Sequence, residues 1–246
     1  MFPRLPLLLL LLPLLACSGN GGQVQDGAAD LPPPDTPLVR LDQQPLPFEA
    51  GLPDQGLPDA PPVTTLTAPF FLDFEQDDGR LVGTRDWEWG QIDFQPSTGP
   101  NAPCDNASYT PPTAGHSGTG MWGTKLNDCY SPLDNAKSPC SNENLIDDSV
   151  LAFKVKIPAT LPNPRLTYWE WSDYFLDFDW TEVRVDNDVV QQVCSGSLTT
   201  PPTWEKRSID LKSYTGATVE ITFHFMASSV INYSGWYIDD LAVNSD

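Results

Sequence analysis

The 246-residue sequence predicts an all-β fold, a two-sheet antiparallel sandwich of jelly-roll type, preceded by a disordered Pro- and Asp-rich tether. Three observations predict it. Between Leu66 and Asp246, short runs rich in aromatic and β-branched residues alternate with clusters of Gly, Pro, Asn and Asp. No segment there carries a convincing helical pattern over ten or more residues. About ten such runs in roughly 180 residues are enough for two packed antiparallel sheets.

Taken in order, the strands fall near 69–75 (PFFLDFE), 87–94 (WEWGQIDF), 119–126 (TGMWGTKL), 150–157 (VLAFKVKI) and 165–172 (RLTYWEWS). Five more fall near 181–186 (TEVRVD), 189–193 (VVQQV), 204–211 (WEKRSIDL), 217–226 (ATVEITFHFM) and 236–243 (WYIDDLAV). Asn187-Asp188, between two alternating runs, marks a hairpin. In 217–226, Val219, Ile221, Phe223 and Phe225 share one face, and Glu220, Thr222 and His224 the other. That period of two belongs to a sheet with one face in a core. Loops 95–118 and 127–148 are long.

Met1 to Ala16 is a Leu-rich run behind a single Arg4, too short to span a bilayer and matching a secretory signal. It ends in Leu14-Leu15-Ala16-Cys17, which resembles the lipobox of bacterial lipoproteins. The resemblance implies cleavage before Cys17 and lipidation of its sulfur. Ser18 after the cysteine points to sorting to the outer membrane, hence a cell-envelope protein exposed at the surface. Residues 17–65 hold ten of the 26 prolines and seven acids against Arg40 alone. Such a segment buries too little apolar surface to offset its ordering entropy. It is a tether, reaching roughly 40 Å as a coil and roughly 150 Å as extended polyproline.

The remaining domain, 66–246, carries 11 Lys and Arg against 26 Asp and Glu. That sign disfavours nucleic acid and anionic lipid as partners, so contact with the membrane is expected through the lipid anchor only. With Cys17 lipidated, Cys104, Cys129, Cys140 and Cys194 remain, an even number that predicts two disulfides. Three connectivities are open. The short spacing makes Cys129 with Cys140 a plausible local bridge, leaving Cys104 with Cys194. No CxxC occurs, and neither histidine is near a cysteine pair, so zinc is not indicated.

Several stretches occur together in a telling order: LDFEQDDG, DWEWGQID followed by GP, AGHSGTGMWGTKLNDCY, LTYWEWSDYFLDFDWTEVRVDND, WEKRSIDLKSYTGATVEITFHF and SGWYIDDLAV. This order resembles the MAM-like, concanavalin-type jelly-roll modules found beside secreted metallopeptidases of the immune inhibitor A group, and it covers nearly all of 70–243. The chain departs from the pattern at Cys104, in an expanded loop after GP. It departs again at Asn187-Asp188, where Gly-Gly is often found. The resemblance implies that the first and last strands lie together and share a structural calcium. Carried over, its ligands are Glu75 and Asp240, with Asp77 or Asp78 and Asp179 as additions.

The physical chemistry of the last strand leads to the same ion. Asp is depleted in strands, yet Asp239 and Asp240 are adjacent. Two carboxylates about 4 Å apart in partly shielded surroundings repel by roughly 4 kcal/mol. Calcium, which takes six to eight oxygens, turns that repulsion into a clamp. Adjacent strand residues face opposite ways, so both acids serve one ion only with a bulge.

Catalysis is not expected. The related peptidases carry HExxH in a separate domain, and this chain has only His116 and His224. GHSGTG (115–120) misses the G-x-S-x-G elbow at Thr119, and the elbow needs an α/β sheet. Eight Trp, seven Tyr and 11 Phe instead favour recognition. Most rings belong to the core. Tyr174 and Phe175, in the 173–180 loop, are the candidates to stack on sugar rings or partner side chains. The expected function is adhesion or recognition of an extracellular polysaccharide or a surface protein. The rivals are a hydrolase with a carboxylate pair in a cleft and a passive envelope protein without a concave site.

Overall fold

Alternation along each strand decides which face it buries, and this builds two sheets on one core. The computed structural model describes residues 64–100, 102–104, 109–133, 148–176, 178–194 and 197–246. The signal segment, Cys17, most of the tether and Cys140 lie outside them. The strands are β1 (Thr65–Thr67), β2 (Phe70–Leu72), β3 (Val82–Gly83), β4 (Trp87–Gln91), β5 (Gly120–Thr124) and β6 (Ser149–Lys156). They continue as β7 (Pro164–Asp173), β8 (Trp180–Val185), β9 (Asp188–Val193), β10 (Glu205–Asp210), β11 (Thr218–Met226) and β12 (Gly235–Ser245).

One sheet runs β1-β6-β11-β8-β9, with β3 also on β6; the other runs β10-β7-β12-β5-β4, with β2 on β12. The pairing is antiparallel except where β1 lies parallel to β6. This is the predicted sandwich. Every predicted run contains a strand. The two strands not foreseen, β1 and β3, have three and two residues, too few for a period to register. β1 begins at Thr65, one residue inside the segment assigned to the tether. The hairpin turn is Asp186-Asn187, one position earlier than expected, with Asp186 at φ 53°. Asp tolerates that left-handed conformation better than branched residues do.

The core lies between the sheets. Val219, Ile221, Phe223 and Phe225 of β11 face Leu166 and Tyr168 of β7 and Trp236, Ile238, Leu241 and Val243 of β12. A second, smaller apolar cluster forms on the opposite face of the second sheet. There Tyr237 and Met121, neighbours in sequence to inward-facing Trp236 and Trp122, meet Leu126, Ile92, Trp171 and Trp204.

The expected local bridge is corrected: Cys104 is bonded to Cys129, across 25 residues. Near this bond, residues 95–97 of one long loop lie beside 127–128 of the other. Ser97 donates to Asp128 through both its N–H (3.1 Å) and its hydroxyl (2.6 Å), and Gln95 N–H reaches the Asn127 carbonyl at 3.1 Å. Cys194 is also in a disulfide, so the pairing of Cys104 with Cys194 falls as well.

Candidate functional site

The paired acids of β12 are reconciled by a bulge. The register of β12 on β7 slips between Asp239, opposite Trp169, and Ala242, opposite Thr167. One extra residue is accommodated, and Asp240 adopts φ 48°. A bulge re-aims a side chain, and here both carboxylates turn to the loop at residues 115–120. Asp239 accepts the Ser117 N–H at 3.0 Å and the Asp240 N–H at 2.7 Å. Asp240 accepts the Ser117 hydroxyl at 2.7 Å and meets His116 Nδ1 at 2.5 Å. From the other end of the domain, Glu75 Oε1 accepts the N–H groups of Thr119 (2.8 Å) and Gly120 (2.7 Å).

The two ends of the domain therefore meet on one loop, and the loop is glycine-rich for a steric reason. A Cβ at Gly118, which has φ +58°, would lie 2.3 Å from the Glu75 carboxyl carbon. One at Gly120 would lie 2.2 Å from the Phe74 carbonyl oxygen. Ser117 is bonded to an acid and not to a histidine, so the near-elbow is a clamp in this fold. His116 is stacked on Trp169 with centroids 3.7 Å apart. His224, on β11, is likewise held structurally, between Asp148 (2.6 Å) and Thr222 (2.8 Å).

Asp239 is fully buried. Burial pushes its carboxyl up to about 7, and the charge of Asp240 adds to the rise. Among the described residues, no Lys or Arg forms an ion pair with Glu75, Asp239 or Asp240; His116 alone pairs with Asp240. Asp239 is thus a buried acid with no basic partner among the described residues, beside a second carboxylate, and that is chemistry that suits a hard cation.

The four-residue shell drawn from the resemblance is not assembled. Among the described residues, the one set of three or more His, Cys, Asp or Glu ligand atoms within 4.8 Å of one another is Cys104, Asp128 and Cys129, and its cysteines are joined in the disulfide. Glu75, Asp78, Asp179 and Asp240 form no such set. Asp78 is exposed and caps the Arg80 N–H at 2.8 Å, while Asp77 caps Gly79 at 2.9 Å. Asp179 is fully buried elsewhere, accepting the Tyr130 hydroxyl, the Ser228 N–H at 2.6 Å and the Phe175 N–H at 3.2 Å. Burial raises its carboxyl to about 6. Its place in the molecule is to tie down the turn that carries Phe175.

Of the two aromatic candidates, Tyr174 is buried and packs edge-on against Phe225 at 5.6 Å, so it belongs to the core. Phe175, half-buried, is stacked on Phe178, 41% exposed, with centroids 5.1 Å apart. Tyr233 lies 6.0 Å from Phe175. Phe175 and Tyr233 line a groove of about 420 Å³ that runs from the 173–176 segment, including Asp173, to Leu198, Thr199 and Pro201. Asp173 accepts the Thr110 N–H at 2.6 Å and the Ser234 hydroxyl at 2.5 Å, and its burial raises its carboxyl above the ordinary range.

Beside the groove is a crevice of about 90 Å³, with Ser172, Leu198, Thr199 and Pro202 lining both. Inside it, Arg207 of β10 contacts Glu170 of β7 at 2.6 Å and Glu205 at 3.0 Å. Glu170 also accepts Trp236 Nε1 at 3.0 Å, and burial pushes its carboxyl up against the opposing pull of Arg207. Sequence reading missed this pair. Its signal was the period of two in Tyr168-Trp169-Glu170, which puts Glu170 on the core face beside Tyr168.

No family model matches the chain, and no curated protein matches it. Solved structures do. The K1 cleaved adhesin domain of Lys-gingipain from Porphyromonas gingivalis W83 is 13% identical, covering 72% of this chain and 98% of that domain with a TM-score of 0.39. TmCBM61, solved in complex with beta-1,4-galactotriose, is 15% identical over 68% of this chain and 87% of its own, at 0.35. CBM28, a carbohydrate-binding module specific for non-crystalline cellulose, is 8% identical over 53% and 78%, at 0.36. Likeness this loose carries no functional argument. The class rests on the strand pairing: a two-sheet β-sandwich with an aromatic groove at one end of β7.

Proposed function

We propose that the protein is a non-catalytic recognition module that binds a carbohydrate in the groove between residues 173–176 and 198–202. The observation that carries this reading is the half-buried Phe175 ring, which lines the groove beside Tyr233 and Asp173 and is backed by exposed Phe178. An apolar ring face with a few convergent polar groups is what sugar rings, apolar on one face and hydroxylated at the edge, require. Lipidated Cys17 and the 17–65 tether would hold the module out from the cell envelope, at the outer-membrane surface. A structural calcium ion would sit at Asp239 and Asp240 beside the 115–120 loop, where their adjacent carboxylates repel. The ligand atoms of Glu75, Asp239 and Asp240 do not lie in one 4.8 Å set here, so its binding would draw the loop and Glu75 inward.

The hydrolase reading is the weaker one. Carboxylate catalysis needs one free acid and one free base flanking the substrate. The two acids of the crevice, Glu170 and Glu205, both bind one guanidinium.

The test is a glycan array probed with the full chain and with Phe175→Ala. The variant is expected to weaken binding at least tenfold, about 1.4 kcal/mol, with an unchanged circular dichroism spectrum. Equal binding by both proteins would remove the groove from the site.

A further inference from the structure

We infer that Asp173 sets the specificity of the groove, which takes an amino sugar whose ammonium group seats against Asp173 Oδ1; this rests on the groove being the carbohydrate site. Asp173 is the last residue of β7 and, among the described residues, the one charged side chain that lines the groove. It is only 7% exposed. Its three hydrogen bonds all fall on Oδ2, from the Thr110 N–H at 2.6 Å, the Ser234 hydroxyl at 2.5 Å and the Ser234 N–H at 3.3 Å. Among the described residues, no donor reaches Oδ1. Nor is Oδ1 one of the enclosed polar atoms without a partner, which there are Ser149 Oγ, Trp180 Nε1 and Asn232 Oδ1. Oδ1 therefore keeps an opening, and the groove is the opening that Asp173 lines.

A carboxylate so placed favours a cation. No Lys, Arg or His pairs with Asp173 among the described residues. Burial raises its carboxyl, and only the bonds from Ser234 and Thr110 offset the rise. A ligand that fills the groove displaces water from Oδ1, and a buried charge without a counter-charge is costly. A sugar hydroxyl returns one hydrogen bond. An ammonium returns the bond and the opposite charge, and such charge-assisted bonds are about twice as strong.

The rest of the lining favours the same group. Phe175 and Tyr233 share the groove with Asp173, and aromatic faces attract cations. Leu198, Pro201 and Pro202 line it too; apolar walls lower the local dielectric and strengthen a pairing made beside them. A uronate would bring a second anion to a groove whose own charge is already negative.

The experiment is calorimetric titration of the full chain with tetramers of glucosamine, glucose and glucuronate, which share a β-1,4 linkage and differ in charge. At about pH 6 an amine of ordinary basicity is protonated. The glucosamine tetramer should bind at least tenfold more tightly than the glucose tetramer, and the glucuronate tetramer at least tenfold more weakly. Asp173→Asn keeps an acceptor for Thr110 and Ser234 and removes the charge. With an unchanged circular dichroism spectrum, its glucosamine-to-glucose ratio should fall below threefold. A second readout needs no variant: in about 0.5 M salt, which screens exposed charges far more than shielded pairs, the ratio of the unaltered chain should stay above threefold. A tenfold ratio that survives Asp173→Asn, or that vanishes in salt, comes from the acidity of the whole domain and overturns the inference. Equal binding of the glucosamine and glucose tetramers, or a preference for glucuronate, also overturns it, while loss of that binding in Phe175→Ala leaves the groove reading standing. Binding to no glycan sinks both.

Discussion

Trp236→Ala is expected to destabilise the domain by about 4 kcal/mol, within the range for deleting a buried tryptophan. The ring is fully buried and packs against Trp87 at 5.5 Å and Phe223 at 5.8 Å, joining the two sheets. Its loss opens a cavity that the flanking strands cannot collapse into. It also strips Glu170 of the indole N–H, leaving one oxygen of a buried carboxylate unpaired, and an unmet buried acceptor is costly. Urea unfolding should show the midpoint falling with little change in slope, and the melting point should drop by about 10 °C. Phe71→Ala, at a ring 58% exposed on β2, is the control and should cost under about 1 kcal/mol.

The second large effect is the dependence of stability on pH and calcium. Asp239 and Asp179 have carboxyls raised to about 7 and about 6 by burial. A raised carboxyl binds its proton more tightly in the folded state, so it favours folding at low pH. That contribution is lost as pH rises from about 4 towards 7. Asp239 alone is worth roughly 2–4 kcal/mol across the window. The groups facing it work through the same loop: Asp240 raises it by charge, and His116 holds Asp240 from the other side. Asp148, lowered by its bond to His224, acts with the opposite sign, but below this window. In EDTA the melting point is therefore expected to be higher at pH 5.5 than at pH 7.5. Calcium at a hundred times its dissociation constant should add about 2.7 kcal/mol at pH 7.5, closing the gap. If calcium leaves the pH 7.5 melt unmoved, the ion has no place in the account. If acidification to pH 5.5 lowers the melting point, burial is not what dominates these acids.

Much of the fold is legible in the sequence because the period of two survives wherever a strand is half-buried. Thr218–Met226 is the clearest case, with its four inward apolar residues at alternate positions. Asp239-Asp240 announces a conflict in the sequence. Its resolution does not, because a bulge depends on pairing with Trp169 and Thr167, far away in the chain. The same is true of the disulfide, which joins two loops and is not set by cysteine spacing. Tyr174 and Phe175 are not separable by alternation, because β7 ends at Asp173 and both Asp173 and Tyr174 are buried. The opposite wall of the groove, Leu198 to Pro202, was out of reach. Nothing in those residues indicates what they face.

The most direct measurement is backbone chemical-shift mapping of the ¹⁵N-labelled protein, titrated with the oligosaccharide that it binds most tightly on the array. The account predicts shifts concentrated at Ser172–Leu176, Leu198–Thr200 and Tyr233. Shifts gathered at His116, Trp169, Trp171 and Trp204 would instead put the sugar on the outer face of the second sheet, and would contradict it.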